Sequence, residues 1–413
     1  MRIRTISLAI AAAAIMVLGL AATGLAFHDG GVASCGSCHS MLNSVANAAK
    51  VPGKAQFDGV RFLLVNNDQS SVCLSCHGTG TARSGYHVYT SLTDFAAGAP
   101  AQHTPGGDFT WLKVGTSTDP AVHDTKGHNI IAADFGLGLD SRAGMATSPG
   151  GNYPNASFNC ISCHDPHGRT RITTGGIVTP AIGTAVDPIG GSGSYGALPA
   201  AGDAVGVYRI LGGAGYKPVS VTDASLAFAT TAPVAVAPSS YNVTFGDVPV
   251  AYGQGMSEWC ANCHSGIHND SYPTNLRHPS GDGAKLTAGV VANYNAYKKS
   301  GDLSGTGGSA AYWPLVPFEQ GSADIATLLG ATTTPVEAAT TNNVMCLSCH
   351  RAHATGFNSM LRWNNTLMVA GGVYAFAPGG LTDVQTLAAY YDKPASDFAS
   401  EQRSLCNKCH AKD

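Results

Sequence analysis

Apolar and polar positions alternate along this chain without settling into a long period. The run 6–20 is apolar but for Ser7, and beyond it neither the helical 3.6-residue nor the strand two-residue pattern persists for more than a few turns. Short helices are predicted over 58–65, 291–299, 382–391 and 396–406, the last with Ser396 in the N-cap position. The stretch 168–258 holds β-branched, alternating runs bounded by Gly and Pro, and 205–211 and 241–250 read there as short strands. No repeat of fixed period and no flexible linker is evident.

The opening run has the form of a secretory signal. Arg2 and Arg4 precede it, and small residues at Gly24 and Ala26 suit cleavage after residue 26. The run falls short of the ~20 residues a membrane span needs. The expectation is a signal peptide over 1–26 and one domain over 27–413, exported and with no transmembrane anchor after cleavage. Composition fits a loop-rich chain: 12 % of residues are charged, about half the usual ~25 %, with 51 Gly and 21 Pro among 413 residues. The formal net charge of −3 offers no basic field for nucleic acid.

The cysteines decide the chemistry. All 12 fall in six Cys-x-x-Cys-His units: Cys35–Cys38–His39, Cys73–Cys76–His77, Cys160–Cys163–His164, Cys260–Cys263–His264, Cys346–Cys349–His350 and Cys406–Cys409–His410. This pattern attaches haem c: two thiols add to the two vinyl groups of a porphyrin, and the adjacent imidazole meets the iron from below. A zinc ribbon would need paired motifs about 15–20 residues apart and would not place a histidine after each pair. Six covalently bound haems then form the core, and the fold class is a multihaem cytochrome c. It is mostly coil and loop, with short helices and a few short strands wrapped around a chain of haems. Twelve propionates make the surface acidic, and some of them pair with Arg and Lys.

The second axial position separates electron transfer from substrate chemistry. Nine histidines remain for six irons. His167, His268 and His353 lie three or four residues beyond a proximal histidine, too near to cap the same ring and well placed to reach a neighbouring one. His128 and His278 sit in short turns, and His87 completes the preferred six. His28, His103 and His123 are the remainder, and the methionines read as packing residues. Bis-histidine iron at every site predicts an electron conduit. The alternatives are a multihaem oxidoreductase with one open iron reducing a small substrate, and a shuttle that does not polymerise.

Long motifs run through the chain: Phe27-His28-Asp-Gly-Gly-Val-Ala, Cys163-His164-Asp-Pro-His167-Gly168, Tyr252-Gly-Gln-Gly-Met-Ser-Glu-Trp-Cys260, Tyr272-Pro-Thr-Asn-Leu-Arg-His278-Pro279 and Cys346-Leu-Ser-Cys349-His350-Arg-Ala-His353. On these the chain resembles the outer-surface hexahaem c-type cytochromes of metal-reducing bacteria, the OmcS type of filament-forming nanowire cytochrome. The resemblance implies extracellular head-to-tail homopolymers that pass electrons to other redox proteins, metal oxides or electrodes. It also implies a histidine three residues past the first proximal one, ligating a haem in the adjacent subunit. This sequence has Leu42 there, so His28 is the first substitute to consider. The first site starts nine residues into the mature chain and the last ends three residues before residue 413, which would suit end-to-end contact.

Overall fold

A computed structural model describes residues 35–40, 44–45, 48–49, 64–79, 86–96, 100, 102–115, 120–173, 177–180, 198, 204–237, 250–268, 278–297, 312–333, 336–375 and 381–410. The signal segment, His28 and Leu42 lie outside them. Seven short α-helices occur among the described residues: α1 (Gln69–His77), α2 (Leu92–Ala96), α3 (Pro120–Asp124), α4 (Met256–His264), α5 (Ala288–Ala296), α6 (Ile325–Thr333) and α7 (Asp383–Ala389). None is long and apolar enough to cross a membrane.

The strands are equally short. β1 (Ser44–Val45) pairs with β2 (Ala48–Ala49). β3 (Thr170–Thr173) lies between β4 (Val178–Pro180) and β5 (Ala204–Gly206), all antiparallel. β6 (Val234–Val236) pairs with β7 (Ala251–Gln254), and β8 (Val369–Ala370) with β9 (Val373–Tyr374). Most of the remaining described residues are loop and single 3-10 turns, as the multihaem reading expects.

Two large apolar clusters flank the Cys-x-x-Cys-His units, beside a small one of Tyr153, Val221 and Leu226 at Cys263. An aromatic one gathers Trp111, Trp313, Trp363, Tyr390 and Phe398, with Cys160, Cys349 and Cys409 packed on its edge. The other joins β6 and β7 to α6 through Val234, Val236, Ala251, Ile325 and Leu328, and Cys163 touches it. The cores thus reach the attachment cysteines directly.

The expected helices 291–299 and 382–391 correspond to α5 and α7, each started by a threonine whose hydroxyl accepts from the N3 amide: Thr287 from Val290 and Thr382 from Gln385. The expected strand at 205–211 is β5 followed by a 3-10 turn, Tyr208–Ile210. Most of 241–250 and of 58–65 lies outside the described residues. The helix expected over 396–406 is not formed. Met368 and Gly372 donate to the carbonyls of Gln402 and Ser400, which clamps this segment in an extended course beside β8 and β9. Only the 3-10 turns Ala395–Asp397 and Leu405–Lys408 remain.

One buried carboxyl ties the fold to pH. Glu319, 1 % exposed, accepts from the Met256 amide that opens α4 and from the Asn343 side chain. Burial pushes its pKa up to about 8, against about 4.3 in an unfolded chain. The folded chain therefore keeps a proton that the unfolded chain releases, and stability falls as pH rises from about 4.5 towards 8. Glu319→Gln is expected to flatten this fall, read as the difference between the two proteins' denaturant midpoints at pH 5 and pH 8.

Candidate haem attachment sites and axial histidines

The described attachment units take two local forms. Units two and four end α-helices, α1 and α4, while units three and five are 3-10 turns, Cys160–Ser162 and Cys346–Ser348. Each 3-10 turn is closed by its own serine: Ser162 Oγ accepts from Asn159 N and Ser348 Oγ from Met345 N. Each also docks on the preceding helix. Ser70 Oγ accepts from Cys160 N at 3.0 Å, and Ser257 Oγ accepts from Cys346 N at 3.0 Å. Both serines stand three residues before the first cysteine of their helix. The chain therefore repeats a two-site module, helix plus 3-10 turn, whose cysteine pairs are spaced 87 residues apart in one copy and 86 in the other. That spacing and the shared serine are the sequence signal of the module.

The modules bring thiols of successive sites together. Contact with Cys160 is the first cause holding the Cys73 thiol protonated, and the same contact lowers Cys160. Cys260 is likewise raised and Cys346 lowered by each other. Desolvation pushes Cys349 up to about 12, and Cys263 and Cys409 up to about 11. Thiols held this far above neutral pH are poor nucleophiles. The cysteines from Cys38 onward form no disulfide with one another.

Backbone carbonyls orient the imidazoles. Nδ1 of His77, His164, His264 and His350 lies 2.6–2.8 Å from the carbonyl oxygens of Tyr86, Arg209, Pro149 and Ser359. Donation from Nδ1 leaves Nε2 as the lone-pair nitrogen that a metal takes. Arg209 and Ile210, and again Ser359 and Met360, adopt left-handed φ between 50° and 57°. This turns the Arg209 and Ser359 carbonyls onto the rings of units three and five.

Four proximal imidazoles face a second histidine across a fixed gap. Ring centroids are 6.3 Å apart for His39 and His167, 6.0 Å for His264 and His128, 6.3 Å for His164 and His353, and 6.2 Å for His410 and His278. An iron about 2 Å from each nitrogen, with about 1.1 Å from nitrogen to ring centre, places two centroids about 6.2 Å apart. The described residues thus fit a six-coordinate haem at these sites. Burial keeps two of the facing rings neutral: His353 falls to about 3 and His128 to about 4. His87 sits close enough to His77 to lower its pKa, after desolvation as the larger cause.

The remaining histidines have other places. His103 directs Nε2 to Asp392 at 2.7 Å, and His123 donates Nδ1–H to Val114 O. His268, expected to cap a neighbouring iron, instead turns Nε2 towards Glu258 at 3.7 Å and against Gly281. Buried cations stand nearby: Arg351 lies 3.3 Å over the Tyr391 ring, and the Arg362 guanidinium donates to the carbonyls of Leu347, His350 and Pro314.

No family model matches the chain. It is 48 % identical over 439 aligned residues to the C-type cytochrome OmcS of Geobacter sulfurreducens, covering 99 % of each protein. Its structure is similar to that of the OmcS nanowires of the same organism solved by cryo-electron microscopy, with TM-score 0.81 and 47 % identity over 93 % of this chain and 99 % of the other. A second structure, of the outer membrane cytochrome S filament, gives TM-score 0.80.

Proposed function

This chain belongs to the OmcS family of c-type cytochromes, and from that premise we propose that it carries electrons outside the cell along a head-to-tail polymer of its own copies. It is an electron-transfer protein rather than an enzyme. In this reading residues 1–26 are removed, 27–413 form one unit, and the six Cys-x-x-Cys-His motifs hold six haems.

The observation that carries the reading is the spacing of 6.0–6.3 Å between four pairs of imidazole rings. When bound, haem c supplies a one-electron iron couple with little change in coordination. The chain's own part is to fix both axial nitrogens, so that each ring is already placed for either oxidation state. His39, His77, His164, His264, His350 and His410 would be proximal. His167, His87, His353, His128 and His278 would cap the first, second, third, fourth and sixth irons in turn. The paired modules would set units two and three, and units four and five, with their sulfurs in contact.

Two measurements test this. A pyridine haemochrome assay on the exported protein is expected to return six haems per chain, and a smaller count overturns the assignment of the motifs. Electron micrographs of the purified protein should show filaments with the chain as repeating unit, and discrete monomers alone under assembly conditions would remove the polymer. Acceptors in this reading are other redox proteins, metal oxides or electrodes.

A further inference from the structure

One buried carboxyl outside the attachment motifs and the axial histidines lies between two units. Glu319 is 1 % exposed. Its Oε1 accepts at 2.8 Å from Met256 N, the first amide of α4, and α4 carries Cys260, Cys263 and His264. Its other oxygen accepts from Asn343 Nδ2, and the backbones of Glu319 and Asn343 exchange two hydrogen bonds of 3.0 Å. Asn343 stands three residues before Cys346. Glu319 therefore holds the backbone that leads into the fourth unit and the backbone that leads into the fifth.

Its surroundings favour the neutral acid. Burial comes first, and the carboxylates of Asp282, on the loop after α4, and Glu258, on α4 itself, add to it by repulsion. The charge of Glu319 is felt in turn at Cys260. Tyr252, whose carbonyl accepts from the Gln320 amide, is held neutral by burial. Lys285 reaches the carboxyl through Asn343, its Nζ donating to Asn343 Oδ1 at 3.1 Å. Lys285 is exposed, so Glu319 lies one side chain from the surface. A carboxyl in this position is poorly screened by water and responds to charge on both units. One positive charge fewer at either of them makes its protonated form more favourable.

We infer that Glu319 is a redox-linked proton site shared by the fourth and fifth units, taking a proton from solvent when either haem is reduced and returning it on reoxidation. The electron comes from the external donor and takes ferric iron to ferrous. The proton ends as an O–H on the carboxylate, and no other bond changes. This rests on the haem-binding reading above, which the haem count tests by itself.

Spectroelectrochemical titration of the six-haem holoprotein from pH 5 to pH 9 provides the test. Where Glu319 is protonated in both oxidation states, the potentials are independent of pH. Where only the reduced form keeps the proton, they fall as pH rises. The expected result is a level envelope near pH 5, with two of the six waves falling towards pH 9. One proton per electron corresponds to about 59 mV for each tenfold change in proton activity, divided between the two waves. In Glu319→Gln both waves should stay level. Asp282→Asn keeps an oxygen for the Gly255 amide but removes a like charge, so the fall should begin at lower pH, a shift that a merely structural role would not produce. Reduced-minus-oxidised infrared spectra should gain a protonated-carboxyl band that Glu319→Gln lacks. Waves that stay level in the unaltered chain overturn the inference. So does a fall that survives in Glu319→Gln or begins at the same pH in Asp282→Asn, since the proton then sits on another group, such as a propionate. Each variant is first checked for six haems, which separates a lost proton site from a chain that failed to mature.

Discussion

Replacing His353 by methionine is expected to raise the midpoint potential of one haem in six by on the order of 100 mV or more, within the ~0.8 V range that axial ligands span. His353 is the ring opposite His164, 6.3 Å between centroids. It is sequestered enough that its pKa falls to about 3, mainly through desolvation, so it stays a neutral lone-pair donor throughout the physiological range. A thioether donates less electron density than imidazole and favours the ferrous state, which drives the potential upward. Its flexible, unbranched chain suits a slot shaped for an imidazole. Phe109, stacked 4.8 Å from the His353 ring, supplies an apolar wall for the sulfur. Spectroelectrochemical titration resolves the change as one wave leaving the low-potential envelope. His268→Met is the companion measurement and should leave the envelope in place, because that side chain meets Glu258. An unmoved wave in His353→Met would break the pairing with His164.

The chemistry of this protein was legible because covalent attachment fixes residue types and spacing locally. Cysteine, two residues, cysteine and histidine must adjoin whatever the fold, so all six units can be read from the chain. The partner of each iron obeys no such rule. His164 and His353 are brought together by a loop closure of 189 residues, and nothing near either marks the other. His268, four residues beyond His264, has the offset of a neighbouring ligand, and its Nε2 lies 3.7 Å from Glu258 on the helix that ends at His264. The helices α1 and α4 were missed for a related reason. Their apolar residues form no continuous stripe, since cysteines and histidine occupy the positions that an amphipathic pattern would fill. What holds them is capping and docking: Asp68 accepts from Ser71 N, and Ser70 and Ser257 receive the next site's amide. Segment 396–406 failed in the opposite sense, its helical pattern overridden by backbone pairing with 368–372.

The modules and the facing histidines meet at one short stretch of backbone. Ala352 O receives Nδ1 of His128 at 2.6 Å, His353 is itself a facing ring, and His353 O accepts from His128 N at 2.9 Å. Residues 352–354 therefore set the second imidazole for the His264 site and for the His164 site at once. This couples the third unit, in the first module, to the fourth, in the second. The joint is narrow because glycines face it. A Cβ on Gly107 would overlap Ala354 O, and φ there is +90°, so that position tolerates nothing else. Gly127 is the more informative case because its backbone lies outside the left-handed region, which leaves space as the only obstacle.

Gly127→Ala is accordingly expected to disturb two haems together. Its new methyl carbon would lie 2.5 Å from both His353 O and Ala354 Cβ, and 2.9 Å from Ala354 Cα. None of these atoms is the end of a flexible side chain, so the 352–354 backbone has to retreat. Overpacking of this kind costs typically about 1–3 kcal/mol, visible as a lower denaturant midpoint. The larger effect is on coordination. Moving His353 lengthens its reach to the His164 iron, and moving Ala352 O releases the ring of His128 from its orientation towards His264. Two irons are then expected to turn high-spin in electron paramagnetic resonance, beyond any already so in the unaltered chain. Gly138→Ala, with nothing within 4 Å of the added carbon, should leave the spectrum as it was. A spectrum in which only one iron changes would mean that the two sites are set separately, and that residues 352–354 do not join the modules.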